Sequence, residues 1–302
     1  MRLAKAPTSR RVGVAYRLFR NAVAGGAQLV GWRRAVGPST HRVTFEPDAG
    51  TRAGAERVVP VVMCVWQRID RLAETLSLLE AQEAVQVDLY VWNNNRSAAA
   101  RVEEIVRTMA CRRVRVVLTH SARNIGGFGR FYLARELAAR HPAVVFVDDD
   151  LVFRSGAVSS LFDEHRPRSL ASQWAFRLLD PTDYDRREPL EPGERADYCG
   201  TGGMIADSSI FRDERLFKCP RRFWFIEDLW LSFHASHVLG WELRQSGVSF
   251  EEMDDGLNQF GYLHRRKSRF LRYLVGRGWA IPSPARPSDP RRLGRPAATR
   301  SV

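Results

Sequence analysis

The run Ala143-Val144-Val145-Phe146-Val147-Asp148-Asp149-Asp150 takes five apolar residues straight into three carboxylates. An unbroken apolar run of this kind reads as a strand buried on both faces, the pattern of a parallel sheet covered by helices. The acids then stand at the strand's C-terminal end, where open α/β sheets place their ligands. Three adjacent carboxylates repel one another unless a cation neutralises them. Hard oxygen ligands in that number suit Mg²⁺ or Mn²⁺ shared with a substrate phosphate. A solvated acidic turn is the plain alternative, so the rest of the chain has to choose.

Upstream, strand and helix patterns alternate. Val58 to Val65 reads as a buried first strand with Pro60 near its start. A helical pattern follows over about Ile69 to Glu83, where Leu72, Leu76 and Leu79 share one face. A second strand, Val87 to Trp92, ends in Asn93-Asn94-Asn95. A helix over 100–110, a third strand from Val114 to Leu118, a Gly-rich turn and a helix from about Arg130 to Arg140 lead into the acidic strand. This alternation predicts an α/β fold with a doubly wound, mostly parallel sheet and right-handed crossovers.

Downstream the alternation weakens. Arg166 to Pro192 is polar and Pro-rich, with Trp174 and Phe176 on a candidate strand. Tyr198 to Phe211 reads as strand, Gly turn, strand, and Phe223 to Trp241 as a loop entering a helix. We expect a basic N-terminal appendage over 1–55, a core over 56–281 and a disordered Arg/Pro-rich tail over 282–302.

The charge is divided in the same way. The net charge of +13 hides a core, residues 56–264, that is acidic at −5, between ends of +8 (1–55) and +10 (265–302). A nucleic-acid-binding core would itself be basic, so no nucleic-acid partner is expected. Basic ends suit an anionic membrane surface or plain solvation. Residues 12–23 could form a short helix with apolar and basic sides, lying on a membrane or docked on the core. No apolar run spans a bilayer, Arg17 and Arg20 interrupt any signal-peptide core, and four scattered cysteines form no CxxC pair. The expected location is the cytoplasm, with peripheral contact at the inner face of the membrane.

Several stretches could carry chemistry. In Asn124-Ile125-Gly126-Gly127-Phe128-Gly129-Arg130, three glycines permit close backbone approach to a ligand before a helix N-terminus. Taken alone, a structural turn with Arg130 as an ordinary helix-start cation explains it better. Asn93, Asn94 and Asn95 could bond a nucleobase edge or ribose, or form a polar turn. Gly200, Gly202 and Gly203 suggest either backbone approach by a ligand or a tight hairpin. Glu227 and Asp228 stand between Trp224 and Trp230 at a helix start. Apolar walls raise carboxylate basicity, as a general base requires, while capping by Asp228 is the structural reading. His264 could complete a metal shell beside the cations of Arg265-Arg266-Lys267, which could hold phosphates. His234 and His237 compete as ligands.

Together, over roughly 58–268, these stretches resemble the nucleotide-sugar-dependent glycosyltransferases of GT-A fold, most closely family 2-like enzymes. The Asn124–Arg130 wording is similar to galactofuranosyl- and rhamnosyltransferase relatives. The resemblance implies a nucleotide-binding half and an acceptor half. It implies a divalent cation, Mn²⁺ or Mg²⁺, on Asp148, Asp150 and His264. It places the donor, a nucleotide-diphosphate sugar and most simply a UDP-sugar, against Asn93, Asn95, Asn124, Gly127, Arg130, Asp148 and Asp149. Asp228, with Glu227 beside it, would be the base that deprotonates the acceptor hydroxyl. Gly202, Gly203 and Trp224 would face a glycan or glycolipid acceptor. A role in cell-envelope or other glycan synthesis follows from the same likeness. The QxxRW element of processive synthases is absent, since Trp241 lacks the preceding Gln and Arg. The Glu-Asp pair before Leu-Trp-Leu-Ser-Phe also resembles exostosin-like enzymes, which retain anomeric configuration.

Two other classes compete. A sugar-phosphate nucleotidyltransferase would carry a Gly-rich loop after the first strand, where this chain has Trp66-Gln67-Arg68-Ile69-Asp70. A non-catalytic basic protein would hold membrane or nucleic acid by its ends and show no metal-dependent nucleotide affinity.

Overall fold

A computed structural model describes residues 41–47, 57–109, 111–253 and 260–281. In chain order the first strands are β1 (His41–Phe45), β2 (Arg57–Val65), β3 (Val85–Asn93), β4 (Val114–His120), β5 (Ala143–Val147) and β6 (Leu151–Val152). They are followed by β7 (Ser169–Ser172), β8 (Ala175–Leu178), β9 (Arg187–Pro189) and β10 (Tyr198–Cys199). The last three are β11 (Met204–Asp207), β12 (Glu242–Gln245) and β13 (Glu251–Glu252). The helices are α1 (Leu72–Glu80), α2 (Ala99–Met109), α3 (Gly129–Leu137), α4 (Ala157–Asp163), α5 (Glu227–Phe233) and α6 (Phe260–Val275).

The acidic strand, β5, lies inside an eight-stranded sheet of order β1-β4-β3-β2-β5-β11-β7-β12. β4, β3, β2 and β5 run parallel. β11 runs antiparallel to β5 and to β7, β12 is parallel to β7, and β1 is antiparallel to β4. The expected doubly wound, mostly parallel α/β sheet is therefore present, with two reversed strands.

The continuous apolar runs are explained by two cores. Along β2, Val59, Val61, Met63 and Val65 enter one core, with residues of α1, α2 and α4. Val62 enters the other, with Phe131, Leu133 and Leu137 of α3, Leu229 and Phe233 of α5, and Phe270 and Leu274 of α6. Successive side chains point to opposite faces, so a strand covered on both sides has no polar position to spare. Pro60 is tolerated although β2 is central. The register with β5 covers only Val61 to Met63, so the missing N–H falls where β2 has a neighbour on one side.

Three features depart from the sequence reading. Residues His41–Phe45, inside the segment read as an N-terminal appendage, form the edge strand β1 paired along β4. The helix read over Ile69–Glu83 is a 3₁₀ turn, Ile69–Arg71, followed by α1 ending at Glu80. The stretch after Phe223 is a 3₁₀ turn, α5 and then a π turn over His234–Val238. The basic stretch 12–23 and the tail 282–302 lie outside the described residues.

Candidate active site

β3 and β4 lie to one side of β2, and β5 lies to the other. At such a switch point the loops leaving the strands diverge and open a crevice at their C-terminal ends. Two adjoining cavities, about 240 Å³ and about 300 Å³, fill that crevice and share Asp148, Thr201, Asp228, Leu263 and Lys267. The smaller lies over the ends of β2 and β3 and the Asn124–Gly127 loop, and is lined also by Trp66, Arg68, Asn94, Asp149, Phe225 and Glu227. The larger faces the mixed half of the sheet and is lined also by Asp150, Trp174, Phe176, Tyr184, Arg187 and Glu252.

The three acids after β5 turn toward different partners. Asp148 accepts a 2.7 Å hydrogen bond from Arg130. Arg68 reaches Asp149 and Asp150, each at 3.2 Å. Burial pushes Asp149 up to about 6, against the pull of Arg68. Burial, with Asp148 as the nearest like charge and Asp149 and Glu252 behind it, pushes Asp150 up to about 7. Glu252 rises as well, through burial and Asp148. A buried carboxylate surrounded by carboxylates keeps its proton unless a cation arrives.

Gly202 lets Asp148 reach the cleft, because a Cβ there would stand 2.6 Å from Asp148 Oδ2. Gly127 does the same for Glu227, where a Cβ would fall 1.7 Å from Oε1. Arg130 is buried, not a helix-start surface cation as the sequence suggested. Its Nε stands 3.7 Å from Glu227 Oε1 and has no hydrogen-bond partner among the described residues. Glu227 is pushed up to about 7 by burial, with Arg130 opposing and Asp228 reinforcing the rise.

Asp228, one residue on, is the opposite case. Burial would raise it, yet Lys267 Nζ at 2.8 Å and the Tyr198 hydroxyl hold it below the usual carboxylate range. Lys267 is itself buried and also reaches the hydroxyls of Tyr198 at 3.2 Å and Tyr184 at 3.3 Å. The Leu229 N–H donates to Asp228 Oδ1 at 2.7 Å, so three of about four acceptor sites are filled, and Asp228 lines both cavities. Asp228 lies in the first turn of α5, and Ile226 holds the N-cap position.

The cleft gathers many of the residues read from sequence, though not all. Asn124 and Gly127 line the smaller cavity. Asn93 is fully buried, bonded to His120 and the Asn95 backbone, and Asn95 is turned to the Trp66 carbonyl; neither lines a cavity. Asn94 lines it instead, with its amide clamped between Trp92, Ile125 and Gly126. Trp224, read as facing the acceptor, is buried against Phe128 with ring centroids 5.8 Å apart, and its indole N–H donates to the Cys219 carbonyl. Gly203 faces Phe250, not the cavity. His264 lies on α6, and its side chain is outside the described part; His234 is buried at Asp213, away from the cleft.

Sequence reasoning missed the roles of Arg68, Glu252 and the Lys267–Tyr198–Tyr184 set. Arg68 had a signal, since it follows directly after β2. Lys267 had a weak one, as the one Lys in an Arg-rich stretch.

Six carboxylates and four cations line the joined cleft. A nucleoside diphosphate meets net repulsion there unless a divalent cation accompanies it. Asp148, Asp150 and Glu252 supply hard oxygen donors on one wall, which fits such a cation. In the present arrangement no three His, Cys, Asp or Glu side chains among the described residues stand in metal-ligating geometry. Arg68 and Arg130 occupy the acids instead.

No protein-family profile and no curated protein sequence matches the chain. Among solved structures it is similar to a mannosyltransferase, PcManGT from Pyrobaculum calidifontis, in complex with GDP-Man and Mn²⁺. The identity is 13%, the TM-score 0.52, and the match covers 88% of this chain and 74% of that one. It is also similar to S. aureus TarS residues 1–349 in complex with UDP, at 16% identity and TM-score 0.44, covering 64% of this chain and 59% of that one. The likeness to the mannosyltransferase is one of fold, and the mostly parallel sheet with its mixed second half is the GT-A arrangement.

Proposed function

We propose that the chain is a metal-dependent glycosyltransferase that moves a sugar from a nucleotide-diphosphate sugar to an acceptor hydroxyl. One observation carries the reading: Asp228, an ionised carboxylate with one open acceptor site, lines both cavities where they meet. A base in that position serves a reaction between a donor on one side and an acceptor on the other.

The smaller cavity takes the nucleotide, most simply UDP, beside the Asn124–Gly127 loop. The orphaned Nε of Arg130 suits a diphosphate oxygen. Asp148 and Asp150 would hold Mn²⁺ or Mg²⁺, with His264 as a candidate third ligand; bound there, the ion would neutralise the diphosphate as a leaving group. The larger cavity takes the acceptor, with Trp174, Phe176 and Tyr184 offering apolar faces to a sugar ring.

Asp228 accepts the proton of the acceptor hydroxyl. The oxygen then bonds to the anomeric carbon as the bond to the diphosphate breaks, and the nucleoside diphosphate leaves. Attack from the face opposite the leaving group inverts the configuration. Lys267 and Tyr198 keep Asp228 ionised for this step. A galactofuranosyl- or rhamnosyl-type donor and an envelope glycan acceptor extend the reading from the sequence resemblance.

The test is thermal-shift binding of UDP, GDP, dTDP and CDP, each with Mn²⁺, Mg²⁺ or EDTA. A ligand at a hundred times its dissociation constant stabilises the fold by about 2.7 kcal/mol. One diphosphate shifting the transition, with EDTA abolishing the shift, is the expected result. No shift with any nucleotide would count against the reading.

A further inference from the structure

α6 has two faces of different kind. Phe270, Leu271 and Leu274 are buried in the core, and Leu263 and Lys267 reach the cleft. Arg265, Arg266, Arg269 and Arg272 are all exposed. At 3.6 residues per turn, positions 265, 269 and 272 fall on one stripe, with 266 and 273 on its flank. Arg222, at the start of the neighbouring 3₁₀ turn Arg221–Ile226, and Arg277, just past the helix, both lie over the Tyr273 ring, at 5.6 Å and 5.7 Å. Six arginines are thus collected on and around one helix face.

These six have no carboxylate partner among the described residues. Arg272 donates to the Thr182 carbonyl and Arg277 to the Tyr273 hydroxyl. The turn along one edge does contain acids, but they are engaged: Asp180 with Thr182 and Arg186, Asp183 with Ser268, Asp185 with Arg187. Elsewhere most surface arginines sit opposite acids, as Arg42 does with Glu136, Arg101 with Asp70 and Arg177 with Glu188. Six arginines gathered on one helix face without a carboxylate partner among the described residues, on a chain where most surface arginines have one, call for an anionic counterpart.

We infer that this arginine face is a docking surface for an anionic lipid bilayer. The array runs along one exposed helix face, so its charges can meet a flat anionic surface together. Tyr273, half-buried among the arginines, offers the amphipathic ring favoured at a headgroup layer. The apolar face of α6 is spent on the core, so attachment is electrostatic adsorption and not insertion. No helix among the described residues is long and apolar enough to cross a membrane. Beyond α6 the sequence adds five more arginines after Arg277 against a single acid, Asp289, which continues the same charge. Docking there sets the larger cavity one helix thickness from the lipid. The inference stands on charge and exposure alone and does not depend on the chemistry assigned to the cleft.

The test is co-sedimentation of the full chain with vesicles of neutral phosphatidylcholine, with and without 3 parts in 10, roughly, of phosphatidylglycerol, at low and high salt. Binding to the anionic vesicles, lost at high salt, is expected. The full-chain variant R265Q/R266Q/R269Q/R272Q should bind at least tenfold more weakly with an unchanged melting transition. The matching all-Lys variant should bind like the parent, because adsorption follows charge. If the four-Gln variant melts early, R269Q/R272Q serves, with a weakening of about threefold or more expected. Equal vesicle binding by a folded Gln variant and the parent would overturn the inference. So would a parent that ignores anionic vesicles but binds duplex DNA with steep salt dependence.

Discussion

The two walls of the cleft treat buried carboxylates in opposite ways. Around Arg68 and Arg130, Asp149, Asp150 and Glu227 are held above their ordinary range, Asp150 and Glu227 at about 7. Beside Lys267, Asp228 is equally enclosed and is held below it. The difference lies in how each cation is spent. Arg68 is divided between two acids at 3.2 Å, and Arg130 between Asp148 and a more distant Glu227. Lys267 directs its charge to one carboxylate at 2.8 Å, with Tyr198 donating to the same oxygen. Desolvation is common to both walls, so a dedicated hydrogen-bonded cation sets the sign. The acids beside the two arginines still lack a full complement of positive charge. Beside Lys267 the charge is balanced, and Asp228 is held as a carboxylate.

The sharpest break in this contrast is Asp228→Asn. It removes the proposed base and leaves Lys267 in place, so transfer should fall by roughly 10²–10⁴-fold with the fold retained. Nucleoside diphosphate release measured against the melting transition checks this, and near-normal turnover would sink the assignment. Lys267→Met comes next. It leaves a buried carboxylate unpaired, at a cost of about 3–5 kcal/mol in denaturant unfolding. The sign in pH follows from the direction of the shift. A depressed folded value stabilises the native state above the ordinary Asp range, and that contribution is lost as pH falls. Without Lys267, burial dominates, so the acid limb of the rate profile should move to higher pH.

The acids around Arg68 and Arg130 should respond in the reverse sense. Asp150→Asn relieves the crowding with Asp148, Asp149 and Glu252, so the variant should melt higher than the parent in EDTA. It should also lose most of the extra stabilisation from Mn²⁺ with nucleotide. A lower melting point in EDTA would show that Arg68 already balances that wall. Gly127→Ala drives a methyl into Glu227 and should weaken nucleotide binding about tenfold while leaving acceptor-side behaviour alone. The smallest effect is expected from Trp224→Phe. The ring stack on Phe128 survives and the N–H bond to the Cys219 carbonyl is lost, costing about 0.5–1.5 kcal/mol with acceptor KM unchanged. A raised acceptor KM would return Trp224 to the site.

Much of the parallel half of the sheet could be read from the chain alone. β2, β3, β4 and β5 are continuous apolar runs separated by helical patterns, and parallel order follows from that local alternation. The three acids after β5 and the Glu227-Asp228 pair stand out because carboxylates beside apolar residues break the local pattern. The mixed half was less legible. β7, β10 and β12 are two to four residues long, too short to show a period, and β1 hides in a basic segment.

The residue types and their order determined the fold class, the cleft's acidic wall and a candidate base. Which acid is held ionised depends on partners 30 to 83 positions apart: Tyr198, Tyr184 and Lys267 around Asp228, and Arg68 across from Asp149 and Asp150. The same holds for the asparagines, where backbone geometry turned Asn94 to the cleft and Asn93 and Asn95 away from it. Proton affinity depends on distance, burial and hydrogen bonding, and these exist only once remote segments have packed.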